Sequence, residues 1–137
     1  MISNLKFVSQ YIKDLSFENY AAQNNHFDKQ KLNLNLDLNI KKKNLNHNLV
    51  EITLVILLEA KKQNTKAFIV ELSFASTFIL PEKNTDEENK QCSFIDCPNI
   101  MFPFIRQIIF NITQNSGFVP VNLDYINFSE LYHSHNS

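Results

Sequence analysis

Glycine is almost missing from this chain. Gly117 is the only one in 137 residues, so no glycine-rich loop exists whose backbone could wrap a phosphate, and the common nucleotide-binding motifs are excluded. Cysteine is nearly as scarce. Cys92 and Cys97 have no histidine at ligand spacing, make no closed zinc site, and read as packing residues. Charge of one sign is also lacking. A formal net charge of −1 leaves no broad basic surface, which argues against nucleic acid or an anionic membrane as the main partner. Lys41-Lys42-Lys43, the one basic run, reads as a charged strand end that discourages edge pairing. Residues 1–13 hold no apolar stretch of signal-peptide length, and no run approaches a membrane span. The expectation is a cytoplasmic protein with no direct membrane insertion.

Catalytic constellations are absent too. No serine sits in a Gly-x-Ser-x-Gly context, and His133 with His135 has no third metal ligand nearby in sequence. Asp14 and Glu18 stand four residues apart on one face of a strand, about 13 Å, too far for the carboxylate pair of a glycosidase. The reading is a protein that is not an enzyme and needs no cofactor.

What is present is apolar: 44% hydrophobic against 20% charged residues, the balance of a globular chain forming one domain over 1–137. Residues 7–20 alternate as a strand. Tyr11, Lys13, Leu15 and Phe17 fall on one face and Ile12, Asp14, Ser16 and Glu18 on the other, unless a bulge re-aims part of it. After a polar loop over 23–30, Leu32, Leu34, Leu36, Leu38 and Ile40 alternate strictly with polar residues, which predicts a strand buried on one side. A polar turn over 42–48 leads to a third strand over 50–60, apolar on both faces in its middle. A fourth follows over 67–80. Strands joined by short links predict an antiparallel meander.

Residues 81–90 read as a charged loop, and residues 97–112 as a helix with Pro98 at its first position. Pro103 is expected to kink that helix or delay its regular part, and Gly117 to stop it. The helix is apolar over an arc of roughly 200°, about twice what a one-sided surface helix needs. Either a second layer of the same chain covers the excess, or another subunit does. Beyond an extended segment over 118–125, Asp124 or Asn127 is placed to cap a last short helix from Phe128 to about His133.

Four segments in this order resemble the bacterial protein-export chaperone SecB family: Tyr11-Ile12-Lys13-Asp14-Leu15-Ser16-Phe17-Glu18, Cys97-Pro98-Asn99-Ile100-Met101-Phe102-Pro103-Phe104-Ile105-Arg106, Gly117-Phe118-Val119-Pro120, and Phe128-Ser129-Glu130-Leu131-Tyr132. The resemblance implies an α+β subunit, a four-stranded antiparallel sheet with one long and one short C-terminal helix, assembling as a homotetramer, a dimer of dimers. It implies an ATP-independent chaperone that holds unfolded precursor proteins in an apolar groove and delivers them to the SecA motor. A chaperone of the same fold dedicated to one client, such as an antitoxin, is the alternative.

By the same resemblance Asp14, Glu18, Ile69 and Glu71 face SecA. The candidate client groove comprises Phe74, Phe78, Phe102, Phe104, Phe128 and Leu131, and the helix residues Ile100, Met101, Ile105, Ile108, Ile109 and Ile112 are candidates for the oligomer interface. This sequence departs from the family in three ways. Ala75-Ser76 stands where a glycine pair is usual, the charge is near neutral rather than strongly acidic, and residues beyond the last helix are few. The family's contact between a longer tail and SecA is therefore not carried over.

Overall fold

The computed structural model describes residues 4–23 and 32–135, so most of the polar loop expected over 23–30 lies outside the described residues. Four long strands form one antiparallel sheet in the order β1-β4-β3-β2. They are β1 (Lys6–Asn19), β2 (Asn33–Asn46), β3 (Leu49–Lys62) and β4 (Thr65–Ile79). A short helical turn, α1 (Tyr20–Gln23), follows β1. The α+β expectation is met, with a boundary difference at β2. β2 runs to Asn46 rather than Ile40, because β3 keeps pairing with it through Lys43↔Glu51 and Asn44↔Val50 although its apolar alternation has stopped. The β2–β3 and β3–β4 turns place His47 and Gln63 at φ 48° and 56°, where side chains with a Cβ are uncommon.

One face of the sheet is the core. Val50, Ile52, Leu54, Ile56, Leu58 and Ala60 are in register with Phe78, Ser76, Phe74, Leu72, Val70 and Phe68, and all twelve are buried. On this face β1 places Ile12, Leu15 and Phe17. A bulge between Ile12 and Asp14 inserts Lys13, so Tyr11 and Lys13 lie on the opposite face from Leu15 and Phe17. The face assignment from simple alternation is corrected there.

The helical layer starts earlier than expected. Residues 85–91 are not loop: Thr85 caps α2 (Asp86–Gln91), its hydroxyl accepting from Glu88 N–H while the Glu88 carboxylate accepts from Thr85 N–H. A wide turn over Cys92–Asp96, in which Cys97 N–H donates to Cys92 C=O, leads directly into α3 (Cys97–Asn115). Pro98 is therefore not the start of the helical run but the point where its hydrogen-bond register shifts, as a residue without N–H requires. Pro103 stays inside α3.

α3 packs on β3 and β4 and buries Met101, Phe102, Ile105, Ile109 and Thr113. It ends where Gly117 takes φ 92° and Phe118 N–H bonds to Thr113 C=O at 3.2 Å. Phe118 then stacks into a cluster with Phe68 (4.9 Å between centroids), which itself stacks on Phe17 (5.4 Å). The Thr113 hydroxyl donates to Ile109 C=O at 2.8 Å and accepts from Val121 N–H at 2.9 Å, pinning the following extended segment along α3. Arg106 adds a hydrogen bond to Asn122 Oδ1 at 2.9 Å. Asn127, rather than Asp124, caps α4 (Phe128–His135) by accepting from Glu130 N–H.

Candidate functional site

Because α3 lies over β3 and β4, the core-side face of the edge strand β2 is only partly covered. Leu36, Leu38 and Ile40 are half-buried and Leu34 is 48% exposed. Between this strip and the helices lies a groove of about 400 Å³. Its main walls are Leu38 and Ile40 of β2, Lys90 of α2, Phe94 of the wide turn, and Leu131 and Tyr132 of α4. Phe94 stacks on Tyr132 with rings 16° from parallel and 6.3 Å apart. The Tyr132 hydroxyl donates to Glu87 Oε1 at 3.0 Å, and burial followed by that carboxylate raises its pKa above the ordinary phenol value. Apolar walls with a fixed aromatic pair can bury an apolar side chain without selecting one sequence, and Asn39, Lys90 and His135 add polar groups to the same lining.

The six groove candidates separate in space. Leu131 lines the groove. Phe102 and Phe128 meet edge to face at 5.8 Å and are buried, and Phe74 and Phe78 are buried under the helical layer. Phe104 is 41% exposed on the other side of α3. Sequence reasoning missed Leu38, Ile40, Phe94 and Tyr132. The signal available was an apolar strand face at a sheet edge. Phe94 fell in a segment not read as helix.

The helix candidates divide as well. Met101, Ile105 and Ile109 are fully buried within this protomer, whereas Ile100, Ile108 and Ile112 are half-buried along one flank. Phe104 is exposed on the same flank at 41%, and Phe110 on the opposite flank at 38%. A second uncovered apolar region lies on β1, the other edge strand, where Phe7, Val8, Tyr11, Ile12 and Leu15 are each at least 37% exposed.

The outer face of the sheet is charged and ordered in rows. Across β2, β3, β4 and β1 they run Asn35, Glu59, Ile69, Glu18; then Asp37, Leu57, Glu71, Ser16; then Asn39, Val55, Ser73, Asp14. Asp14, Glu18, Ile69 and Glu71, four residues from two strands distant in sequence, thus share one face on adjacent strands. At one end of the face Asn33, Lys61 and Lys66 are in register, and at the other two further rows, Lys41, Thr53, Ala75, Tyr11 and Lys43, Glu51, Thr77, Ser9, continue it toward the β2–β3 turn. Here Glu51 accepts from Tyr11 Oη and pairs with Lys13 Nζ at 3.1 Å. The Tyr11 hydrogen bond is the main cause holding the Glu51 carboxyl below its ordinary value, and it pushes the phenol up to about 12.

No group of three metal-ligating side chains occurs among the described residues. Cys92 and Cys97 are buried free thiols, and burial raises the pKa of both, which disfavours the reactive thiolate. No helix among the described residues is long and apolar enough to cross a membrane.

Comparison with known proteins agrees with this geometry. The profile of the family described as "Preprotein translocase subunit SecB" matches residues 2–137. A protein-export protein SecB of Rhodospirillum centenum is 38% identical over 125 residues, 90% of this chain and 74% of the relative. One of Orientia tsutsugamushi is 40% identical over 127 residues, 90% of this chain and 78% of the relative. Among solved structures, a SecB-like chaperone of Mycobacterium tuberculosis in complex with an antitoxin peptide superposes with a TM-score of 0.74 at 16% identity. That match covers 90% of this chain and 91% of the other.

Proposed function

The chain belongs to the SecB family, and from that premise we propose that it is an ATP-independent export chaperone that holds unfolded precursor proteins in the cytoplasm and delivers them to SecA. One observation carries the reading: apolar surface left uncovered at both edges of a sheet whose centre is fully packed. Soluble proteins rarely leave such surface open unless it binds something.

The two edges take different partners. Among the described residues β1 has an unpaired side along its fourteen residues, and it bears Phe7, Ile12 and Leu15 on the core-side face. It pairs with β1 of a second copy into an eight-stranded sheet. Two such dimers join through the open flank of α3, where Ile100, Ile108, Ile112 and Phe104 supply the apolar contact. Met101, Ile105 and Ile109 hold α3 to its own sheet and contribute only indirectly. The β2 edge stays free and takes the client: Leu38, Ile40, Phe94, Leu131 and Tyr132 bury its apolar side chains, with Phe102 and Phe128 packed against each other on α3 and α4. Four grooves on one tetramer then bind one long client by avidity.

The outer face carries Asp14, Glu18, Ile69 and Glu71 toward SecA. The export reading is preferred over a single dedicated client because the relatives at 38% and 40% identity are export proteins, whereas the antitoxin-bound chaperone is 16% identical.

The test is a double substitution, Phe94→Ser with Leu131→Ser, in the full chain. Affinity for a denatured precursor, read by fluorescence anisotropy, is expected to fall about tenfold or more, the loss of roughly 1.4 kcal/mol or more of apolar burial, while the solution mass stays that of a tetramer. Unchanged affinity sinks the groove assignment. A wild-type protein that binds no denatured polypeptide, or that is monomeric at micromolar concentration, sinks the function itself.

A further inference from the structure

The helical walls of the groove beside β2 share one plan. Phe94 and Lys90 stand four residues apart on the run from α2 into the wide turn, and Leu131 and His135 four residues apart on α4. Each apolar wall residue thus has a nitrogen-bearing side chain one turn away on its own element. Lys90 and His135 both line the groove, and no carboxylate is among its lining residues. Glu87 reaches the Tyr132 wall but is engaged there, accepting from the phenol at 3.0 Å.

Among the described residues neither Lys90 nor His135 has an ion-pair partner, since the salt bridges there join Lys13 to Glu51 and Lys61 to Glu59. Asp86, four residues before Lys90 on α2, makes no ion pair with it. A lysine at a free helix end needs no ligand to explain it, because it offsets the exposed carbonyls. Lys90 is not at such an end. The helical run continues past it, with Cys92 N–H bonding back to Glu88 and Asn89 C=O and Cys97 N–H to Cys92 C=O. Lys90 is exposed and takes no part in the core. What remains is a cation beside an apolar wall, with room in front of it.

We propose that the groove selects client segments in which a carboxylate lies two residues from an apolar side chain, the apolar group packing on Phe94 and Leu131 and the carboxylate meeting Lys90. This rests on the reading of the groove as the client site and specifies which segments it takes. β2 is a sheet edge, and a segment laid along it is extended, so its residues i and i+2 point to one side about 7 Å apart and enter the same groove. His135 has at least one ring N–H in either protonation state and donates a second hydrogen bond to the carboxylate. A lysine or arginine at that position meets Lys90 as a like charge partly removed from water. The sign of the neighbouring residue, to which an apolar groove alone is indifferent, therefore enters the selection. A net charge of −1 sets up no strong overall field to mask this local preference.

The test uses the full chain and three labelled peptides at low salt. Each carries two phenylalanines in an otherwise neutral, serine-rich sequence, with glutamate, glutamine or lysine two residues after each phenylalanine. The wild type is expected to bind the glutamate peptide about threefold to tenfold more tightly than the glutamine peptide, and the lysine peptide most weakly, with the differences shrinking as salt rises. Lys90→Gln with His135→Gln abolishes the glutamate preference and leaves affinity for the glutamine peptide unchanged, while Lys90→Arg keeps the preference. Phe94→Ser with Leu131→Ser weakens all three peptides. Equal binding of the three peptides by the wild type, or a glutamate preference that survives the loss of Lys90 and His135, overturns the proposal and leaves the groove reading standing if the serine variant still weakens all three. If the serine variant changes none of the affinities, the groove reading has failed with it.

Discussion

The two faces of the sheet are made by the same four strands and obey different rules. On the core side every position of β3 from Val50 to Ala60 in alternation is at most 1% exposed, and what matters is volume and shape. On the outer side the same strand offers Glu51, Thr53, Val55, Leu57 and Glu59, and what matters is the charge found in the same row on neighbouring strands. The core side is fixed by burial within one protomer. The outer side is packed only in part, at Thr53, Ala75 and Thr77, and its charged positions lie outside that packing.

That contrast can be broken most forcefully at the centre of β3. Leu54→Ala is expected to cost about 2–5 kcal/mol in denaturant unfolding, as a fully buried leucine does, whereas Val55→Ala, one residue on, costs about 1 kcal/mol or less. Comparable losses at both positions would mean that the outer face is also packed. Thr113→Val sharpens the contrast with a polar atom on the core side. It leaves the buried Val121 N–H without its acceptor and is expected to cost about 1–3 kcal/mol, with faster amide exchange at Val121.

Tyr11→Phe on the outer face is the smallest change. The Glu51 carboxyl is held below its ordinary value mainly by Tyr11, so this stabilisation is present above the unfolded carboxylate pKa of about 4.3 and is lost as pH falls through the lowered folded value. The raised Tyr11 phenol gives the mirror case: its stabilisation is present below pH 10, the model-compound value, and lost as pH rises through about 12. Urea unfolding should show a deficit under about 1 kcal/mol at neutral pH that fades as pH falls through the lowered Glu51 value, since the pair is exposed. A deficit that persists at low pH would assign Tyr11 a packing role instead.

Elements with an apolar period were legible and those without one were not. The leucine-asparagine alternation of β2 announces its strand, yet its last five residues, Lys42 to Asn46, carry no alternation and were read as turn. α2 buries no residue, so periodicity could not reveal it, although Thr85 and Glu88 stand at capping-box spacing. The inserted Lys13 shifts the faces of half of β1, which no count of alternating residues detects in advance. The outer-face set Asp14, Glu18, Ile69 and Glu71 does share a face, because each strand's pair of residues lies at even spacing clear of the Lys13 bulge and the β1–β4 register aligns them. The groove was legible only in Leu131, since the others depend on which strand is left at the edge.

The sequence alone determined the meander, the long helix and its stop at Gly117, because side-chain period and backbone permission act over a few neighbouring residues. Only the tertiary structure decided which apolar side chains are consumed and which remain open. Exposure depends on how far α3 reaches across the sheet and on which strands have no neighbour, and neither distance is written in local order.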